Sequence, residues 1–429
     1  MKNNPIFTSS MNAEQYRLIL TSKYFKTHGG NLRAQIAKFA RIIATRYINP
    51  EYLEAYTSCR LIPLDKNPGI RPIGIGEVLR RIVGKSISWA LKSDIQEAAG
   101  PLQVASGLKS GAEAAIHFMR EAFQNDESDA VILVDAENAF NSLNRSVLLH
   151  NIQVLCPAFS TIAINTYRTP SRLILPGGDE IHSCEGTTQG DPLAMPLYSI
   201  GTAPIISHLE RQRMVKQIWL ADDATSTGKL SDLRKWWDEI VWEGRKYGYH
   251  VNNNKSWLIV KNTELLDEAR VLFGETNINV TKEGKRHLGA VLGSSSYRAQ
   301  YITELIQEWV HDLSKLSDFA KSQPQAAYAA FTHGFQHKLT YFMRTLPEMS
   351  QSLVEVDEVI TNKLIPTIIG TPISATERQL FSLPVKYGGL GIPVFNEIAE
   401  GELEASLSVK KSLVEIMHTQ SIQIRILMP

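Results

Sequence analysis

Apolar and polar positions follow one another along this chain in patterns that switch repeatedly between helical and strand-like spacing. Over residues 13–47 the apolar side chains recur at helical spacing (Leu18, Ile36, Phe39, Ile42, Ile43) among strong helix formers, and Pro50 closes the run. CRLIPLDKNPGIRPIGIG (59–76) reads as two strand-like flanks around the turn Asn67-Pro68-Gly69. From Glu77 the stretch VLRRIVGKSISWALKSDI is helical again and basic. VILVD (131–135) is a short β-branched run ending in Asp, as a buried strand would. RLILP and DEIHSC flank Gly177-Gly178 and predict a hairpin.

QIWLA leads into Asp222-Asp223, and ATST leads out. Ser231 is placed to cap a helix whose apolar face is Leu233, Trp236, Trp237, Ile240 and Val241. WLIV (257–260) predicts one more strand. Beyond about residue 297 the pattern is mostly helical, with Pro324, Pro347 and Pro366 separating segments. The sum is a mixed α/β middle between helical ends, without internal repeats or low-complexity tracts.

At 429 residues, 43% hydrophobic and 21% charged, the chain is globular and long enough for two or three domains or subdomains. No apolar run approaches the roughly 18 residues of a membrane span. MKNNPIFTSSMNAEQY has no apolar core of the kind a signal peptide carries. Cys59, Cys156 and Cys184 are far apart, which argues for a reduced intracellular compartment, nucleus or cytoplasm. His182 and Cys184 lack further ligands nearby to complete a metal set. The net charge of +1 hides an asymmetry. Residues 1–120 hold 17 Lys and Arg against 8 Asp and Glu, and the rest hold 28 against 36. The N-terminal part is thereby suited to face something anionic.

Adjacent carboxylates repel and raise each other's pKa unless a positive charge lies close. Asp222-Asp223 is therefore either a solvated turn or part of a metal site. If the strands ending at Asp135 and Asp222 are neighbours, their carboxylates can share a hard cation such as Mg²⁺, which takes oxygen ligands and keeps waters. Two such ions can activate a hydroxyl and stabilise a leaving pyrophosphate.

Seven blocks, in one order over about residues 59–293, together resemble a reverse transcriptase, the right-hand polymerase of retroelements. RLIPLDKNPGIRPIGIG resembles its fingers hairpin, and QVASGLKSGAEAAIHFM the segment before the first aspartate. DAENAF (135–140) resembles the strand of that aspartate, GTTQGDPLAMPLYSIG (186–201) the Q-G-D-P-L loop and helix, and LADD (220–223) the double-aspartate turn. GYHVNNNKSWLIV (248–260) resembles the G…N…K segment, and HLGAVLG (287–293) the primer-grip hairpin. The Q-G-D-P-L wording and the later ERQLFSLPVKYGGLGIP (377–393) are similar to non-LTR retrotransposons, with DIRS-like and other eukaryotic retroelements open.

The resemblance implies an α+β fold with an N-terminal helical extension (1–58), fingers (59–130), a palm with an antiparallel sheet and helices (131–296), and a helical thumb and C-terminal connection (297–429). It implies RNA-directed DNA synthesis with an RNA template, a DNA or RNA primer, dNTPs and Mg²⁺ (or Mn²⁺), and no membrane. Protein partners and priming mode are not legible, nor is whether the chain stands alone or is a piece of a longer element. Asp135 and Asp222 would hold the metals, with the Ala136 carbonyl assisting and Asp223 as a supporting acid. Phe140 would exclude a ribose 2′-hydroxyl, or pack in the palm core. Lys66 and Arg71 would grip the triphosphate. Gln189 and Gly190 would line the template–nucleotide pocket, the glycine letting backbone approach a base. Lys255 would protonate leaving pyrophosphate, or be a strand-edge lysine. Leu288 and Gly289 would meet the primer terminus. Arg80, Arg81 and Lys85 are candidates for template phosphate or for a solvated basic face.

The sequence departs from the family at Leu220, where a Tyr or Phe usually touches the primer. Trp219 is adjacent but alternates to the other face. Two other readings stand beside the polymerase. One is a domesticated or decayed copy that binds RNA or RNA–DNA hybrid without turnover. The other is a metal nuclease, which leaves the fingers-like hairpin unexplained.

Overall fold

The structure, a computed structural model, describes all residues except 1–10, 67–68, 212–214 and 421–429. Asn67 and Pro68 of the expected turn therefore lie outside the described residues, as does the C-terminal ILMP. The N-terminal helical pattern forms two main helices, Ala13–Thr21 and Lys26–Thr45. Eleven strands follow among the described residues: β1 (Cys59–Asp65), β2 (Ile70–Gly76), β3 (Ala130–Val134), β4 (Ser171–Ile174), β5 (Glu180–Ser183), β6 (Lys216–Leu220), β7 (Asp223–Gly228), β8 (Trp257–Val260), β9 (Asn279–Thr281), β10 (Gly284–His287) and β11 (Ala290–Gly293). The fold class is α+β, as the sequence led one to expect.

The strands make three sheets, ordered β2-β1-β4-β5, β6-β7-β3-β8-β9 and β10-β11. The apolar run at 130–134 earns its central place in the second sheet, because four of its five side chains are buried and both its edges are paired. All pairs in that sheet are antiparallel except β8 with β9, which is parallel. The first sheet draws on two distant parts of the chain. The β4–β5 hairpin pairs in parallel with β1, so residues 171–183 extend the sheet of the 59–76 hairpin.

One hydrophobic core lies around the five-stranded sheet and its helices, including Gly111–Gln124, Ala194–Arg211 and Leu230–Tyr247. A second core gathers Trp309, Phe331, Phe342 and Leu353 from the helices after residue 295. The last described helix, Phe395–Thr419, joins them: Phe395 and Ala399 are in the second core, Val414 and Met417 in the first. Its Ser406 hydroxyl donates to Glu113 (2.9 Å), which also receives Arg344 (3.0 Å).

Two local expectations are corrected. Ser231 does not cap the Leu230–Tyr247 helix; Lys229 is at the cap position, and the Leu230 N–H donates to the Asp129 carboxylate (3.2 Å). A carboxylate from the neighbouring loop thus serves the orphan N–H that a local Ser would otherwise take. Pro366 does not separate segments either. It lies at the start of Ile365–Ile369, continuous with the wide turn Ile360–Leu364, where the irregular backbone bonding accommodates a residue without an N–H. No helix among the described residues is long and apolar enough to cross a membrane.

Candidate active site

Register decides whether the aspartates meet. β3 pairs with β7 in antiparallel order up to Val134↔Ala224. One step beyond that pair the register brings Asp135 level with Asp223, and the Asp135 charge is among those that raise both Asp222 and Asp223. Asp135 is held there from the other side as well. Its N–H donates to Ser256 Oγ (3.1 Å), its carbonyl accepts from Asn252 N–H (2.8 Å), and Ala136 bridges to Val251. The segment leading into β8 thus fixes the backbone, and Asp135 itself is half-exposed.

Asp222 depends on an unusual turn. β6 and β7 are joined by only Ala221 and Asp222, and Ala221 has φ +57°, a region that L residues occupy at a cost. The fully buried Gln103 holds it. Its Oε1 accepts from the Ala221 N–H (2.8 Å), and its Nε2 donates to the Ala221 carbonyl (3.0 Å). Tyr249, also fully buried, donates its hydroxyl to the Asp222 carbonyl (2.9 Å). The carboxylate pair is thereby presented by a backbone with no freedom to turn away.

The electrostatics are those of a site short of positive charge. Loss of water in the cleft, then the charges of Asp222 and Asp135, push Asp223 up to about 7. Asp222 is also raised, first by burial and then by Asp135, against the pull of Arg71 and Lys66. Among the described residues the three aspartates are not a group whose ligand oxygens all lie within 4.8 Å of one another. They supply hard oxygen donors and unrelieved negative charge, which suits a divalent cation that takes further oxygens from a substrate.

Beside them is a cavity of about 350 Å³ lined by Arg71, Phe140, Gln189, Gly190 and Asp222 among others. The structure therefore brings together five of the residues singled out from sequence. Phe140 is half-buried, its ring stacked on Tyr198 with centroids 4.5 Å apart, so it both packs on the first core and walls the cavity. Lys66 closes the β1–β2 hairpin through its N–H to Gly69 O (3.0 Å). Lys255 is not gathered in; it is exposed on a short 3-10 turn (Asn253–Lys255). Leu288 and Gly289 lie apart from the cavity, at the tip of the β10–β11 hairpin with φ +50° and +87°.

Three further residues have partners within the protein that bear on their readings. Arg80 is buried and is not available to template phosphate; it forms an ion pair with Asp191 and donates to Thr57 O (2.5 Å). Gly190 is needed by the protein itself: with φ +103°, a Cβ there would lie 2.7 Å from Gly74 O of β2. Its loop lies against that strand, with Gly74 N–H donating to Gln189 O (2.8 Å). Trp219 is wholly buried with its N–H on Gln217 (3.1 Å), so it does not substitute for an aromatic at Leu220.

Sequence reasoning missed three supports. Gln103 opens one of the quoted blocks, yet nothing local marks it as the partner of a turn 118 residues away. Asp191 accepts from Arg80, Tyr167 Oη (2.6 Å) and Leu193 N–H (3.0 Å), which anchors the loop of Gln189. Tyr341 Oη donates to Leu288 O (2.5 Å) and Tyr301 Oη to Gly289 O (2.9 Å), so helices of the second core hold the β10–β11 tip. None of the three carried a local signal; even Asp191, inside a quoted block, meets Arg80 only across 111 residues.

Residues 64–289, more than half of the chain, match the family described as reverse transcriptase (RNA-dependent DNA polymerase). The Retrotransposable element SLACS 132 kDa protein of Trypanosoma brucei gambiense is 22% identical over 382 residues, covering 86% of this chain; the chain spans 31% of that relative's length. Among solved structures, telomerase from Candida albicans bound to a fragment of telomeric RNA superposes with a TM-score of 0.50 at 10% identity, covering 93% of this chain and 68% of that one. Apo telomerase from Candida tropicalis gives 0.44 at 14% identity, covering 92% and 74%. The α+β architecture is that of a right-hand polymerase.

Proposed function

The chain belongs to the reverse transcriptase family, and from that premise we propose that it is the RNA-directed DNA polymerase of a retrotransposon. It would extend a DNA or RNA primer on an RNA template with dNTPs. The observation that carries this reading is the pairing of β3 with β7, which sets Asp135 against the Asp222-Asp223 turn beside the Arg71–Phe140–Gln189 cavity. We assign residues 1–58 to an N-terminal extension, 59–130 to fingers, 131–296 to the palm and 297–429 to the thumb and C-terminal connection; β4 and β5 pack with the fingers sheet.

Asp135, Asp222 and the Ala136 carbonyl would hold divalent metal, with Asp223 in support. Mg²⁺ is the expected ion, Mn²⁺ the alternative, and it would supply Lewis-acid activation of the 3′-hydroxyl and charge relief at the phosphates. The chain's own residues do the rest. Arg71, with Lys66 on the same hairpin, orients the triphosphate by its fork of donors. Gln189, pinned through the Asp191–Arg80 pair, presents the base-pair pocket. Phe140, backed by Tyr198, fills the space that a 2′-hydroxyl would need, so Phe140→Val should raise ribonucleotide incorporation at least tenfold in primer extension. Leu288 and Gly289 would position the primer, and Lys255 would reach the leaving pyrophosphate only after a movement.

Leu220 supports one competing reading, a copy that binds template–primer without turnover. Primer extension on RNA with Mg²⁺, comparing wild type with Asp222→Ala, separates the two. Extension by wild type alone sustains the polymerase; binding by both without extension replaces it.

A further inference from the structure

At the far end of the five-stranded sheet from the aspartates lies a second polar cavity, of about 340 Å³. Ala130 pairs with Val260 at that end, so the length of β3 separates it from Asp135 by roughly 15 Å. Four cations converge on it from four segments: Arg120 from the Gly111–Gln124 helix, Lys261 after β8, Lys282 after β9, and Arg298 from the first turns of the Ser295–Ala320 helix. Asp126 is the one acid in its lining.

Their present partners are mostly neutral. Arg120 donates to Thr345 O (2.5 Å), Lys261 to Asn125 O, and Lys282 to Thr263 Oγ1 (3.1 Å). Arg298 alone reaches a carboxylate, the exposed Glu348 (2.9 Å), and its buried Nε has no partner. Burial, then the neighbouring Arg298, pulls the Arg120 guanidinium down to about 10. The Ser295–Ala320 helix adds its N-terminal end, with no acid in its first turn. Positive charge is thus gathered from four segments, with Glu121, Asp126 and Asp129 as the acids acting on Arg120 and Lys261, around a volume in the ordinary range for small ligands, ~300–1,000 Å³.

We propose that this cavity is a binding site for a phosphate-bearing anion, gripped by Arg298 and Lys282 with Lys261 and Arg120 beside them. The shared chemistry is a doubly charged or repeated phosphate, supplied either by a free pyrophosphate or nucleotide or by a nucleic-acid backbone outside the catalytic cleft. None of its side chains lines the aspartate cavity, though Val291, Leu292 and Gly293 of its wall belong to the β10–β11 hairpin.

The test is calorimetric titration of the full chain with inorganic pyrophosphate in EDTA, where the unneutralised aspartates repel anions. Wild type should bind saturably, and Lys66→Ala/Arg71→Ala should keep that event. Lys261→Glu/Lys282→Glu should weaken it at least tenfold; should that variant fail to fold, Lys282→Gln should weaken it three- to fivefold with an unchanged melting temperature. No saturable binding by wild type, or equal binding by the charge-altered variants, overturns the proposal. A 20-nucleotide single-stranded RNA then identifies the source. If it competes with pyrophosphate and itself binds the double variant more weakly, the ligand is backbone phosphate; if its affinity is unchanged while pyrophosphate binding is lost, the ligand is a free phosphate. Primer extension plays no part in this readout, so its outcome and that of the polymerase test are separate.

Discussion

Two hairpin tips in this molecule set a non-glycine residue at positive φ, Ala221 at +57° and Leu288 at +50°, and each is held by side chains from elsewhere in the chain. They are held differently. At the aspartate tip a single buried amide, Gln103, takes both the N–H and the carbonyl of Ala221. At the second tip two tyrosines from helices of the second core each donate to one carbonyl, and both are only half-buried. The first clamp belongs to the same core as the strands it serves, so it fixes the carboxylates to the sheet. The second ties the tip to the other core, so the geometry of Leu288 and Gly289 follows the helices of that core. Rigid placement suits charges that repel; a tip coupled to a second core suits a contact that shifts with a bound duplex.

Gln103→Ala should break the comparison most severely. It leaves a buried N–H and carbonyl unpaired, costing about 2–5 kcal/mol of stability, and it frees Ala221 to leave its strained conformation. Primer extension should fall at least a hundredfold, while chemical denaturation measures the stability loss. If extension is unchanged in a folded variant, the turn does not need its clamp.

Tyr341→Phe should be milder. One half-exposed hydrogen bond is lost, worth about 1 kcal/mol, and the expected signature is a several-fold weaker KM for primer–template with kcat little changed. A kcat loss as large as that of Gln103→Ala would mean that the two tips act alike.

The carboxylates of the first tip give it a pH signature of its own. Asp223 is raised to about 7 from an ordinary 3.8, so between those values the folded, metal-free protein binds a proton that the unfolded chain has released. Stability contributed this way is present at low pH and declines as pH rises toward 7. In EDTA, the melting temperature of wild type should fall from pH 5 to 8 more than that of Asp223→Asn. Metal affinity should run the other way, rising up to pH 7 and levelling above it. Parallel melting curves for the two proteins would remove Asp223 from the cluster.

Much of this was legible in the sequence where the signal is local. The runs 131–134 and 257–260 and the 59–76 hairpin follow from alternation, β-branching and turn residues, and the family blocks pointed to the 287–293 hairpin and to Asp135, Asp222, Phe140 and Gln189. What was not legible depends on side chains meeting across long separations. Arg80 looks like one of three basic residues on a helix until Asp191 arrives from a distant loop to bury it. Gly190 looks like a concession to a base until Gly74 is found against it. Ser231 satisfies the local rule for a cap, but Asp129, set by the sheet, takes the position. Local rules name candidates; packing chooses among them.

The smallest effects are expected from relieving the strain itself. Glycine occupies positive φ without the penalty that an L side chain incurs, about 1 kcal/mol, though it also gains freedom in the unfolded chain. Ala221→Gly should therefore be neutral or stabilising by a few tenths of a kcal/mol, and because Gln103 binds only backbone there, activity should be retained. Leu288→Gly relieves a similar strain but removes a side chain that packs against both cores. It should lose stability in spite of the easier backbone, and its effect on KM should exceed that of Ala221→Gly. Equal behaviour of the two variants would mean that Leu288 is held only by its backbone, as Ala221 is, and that the second tip owes nothing to its side chain.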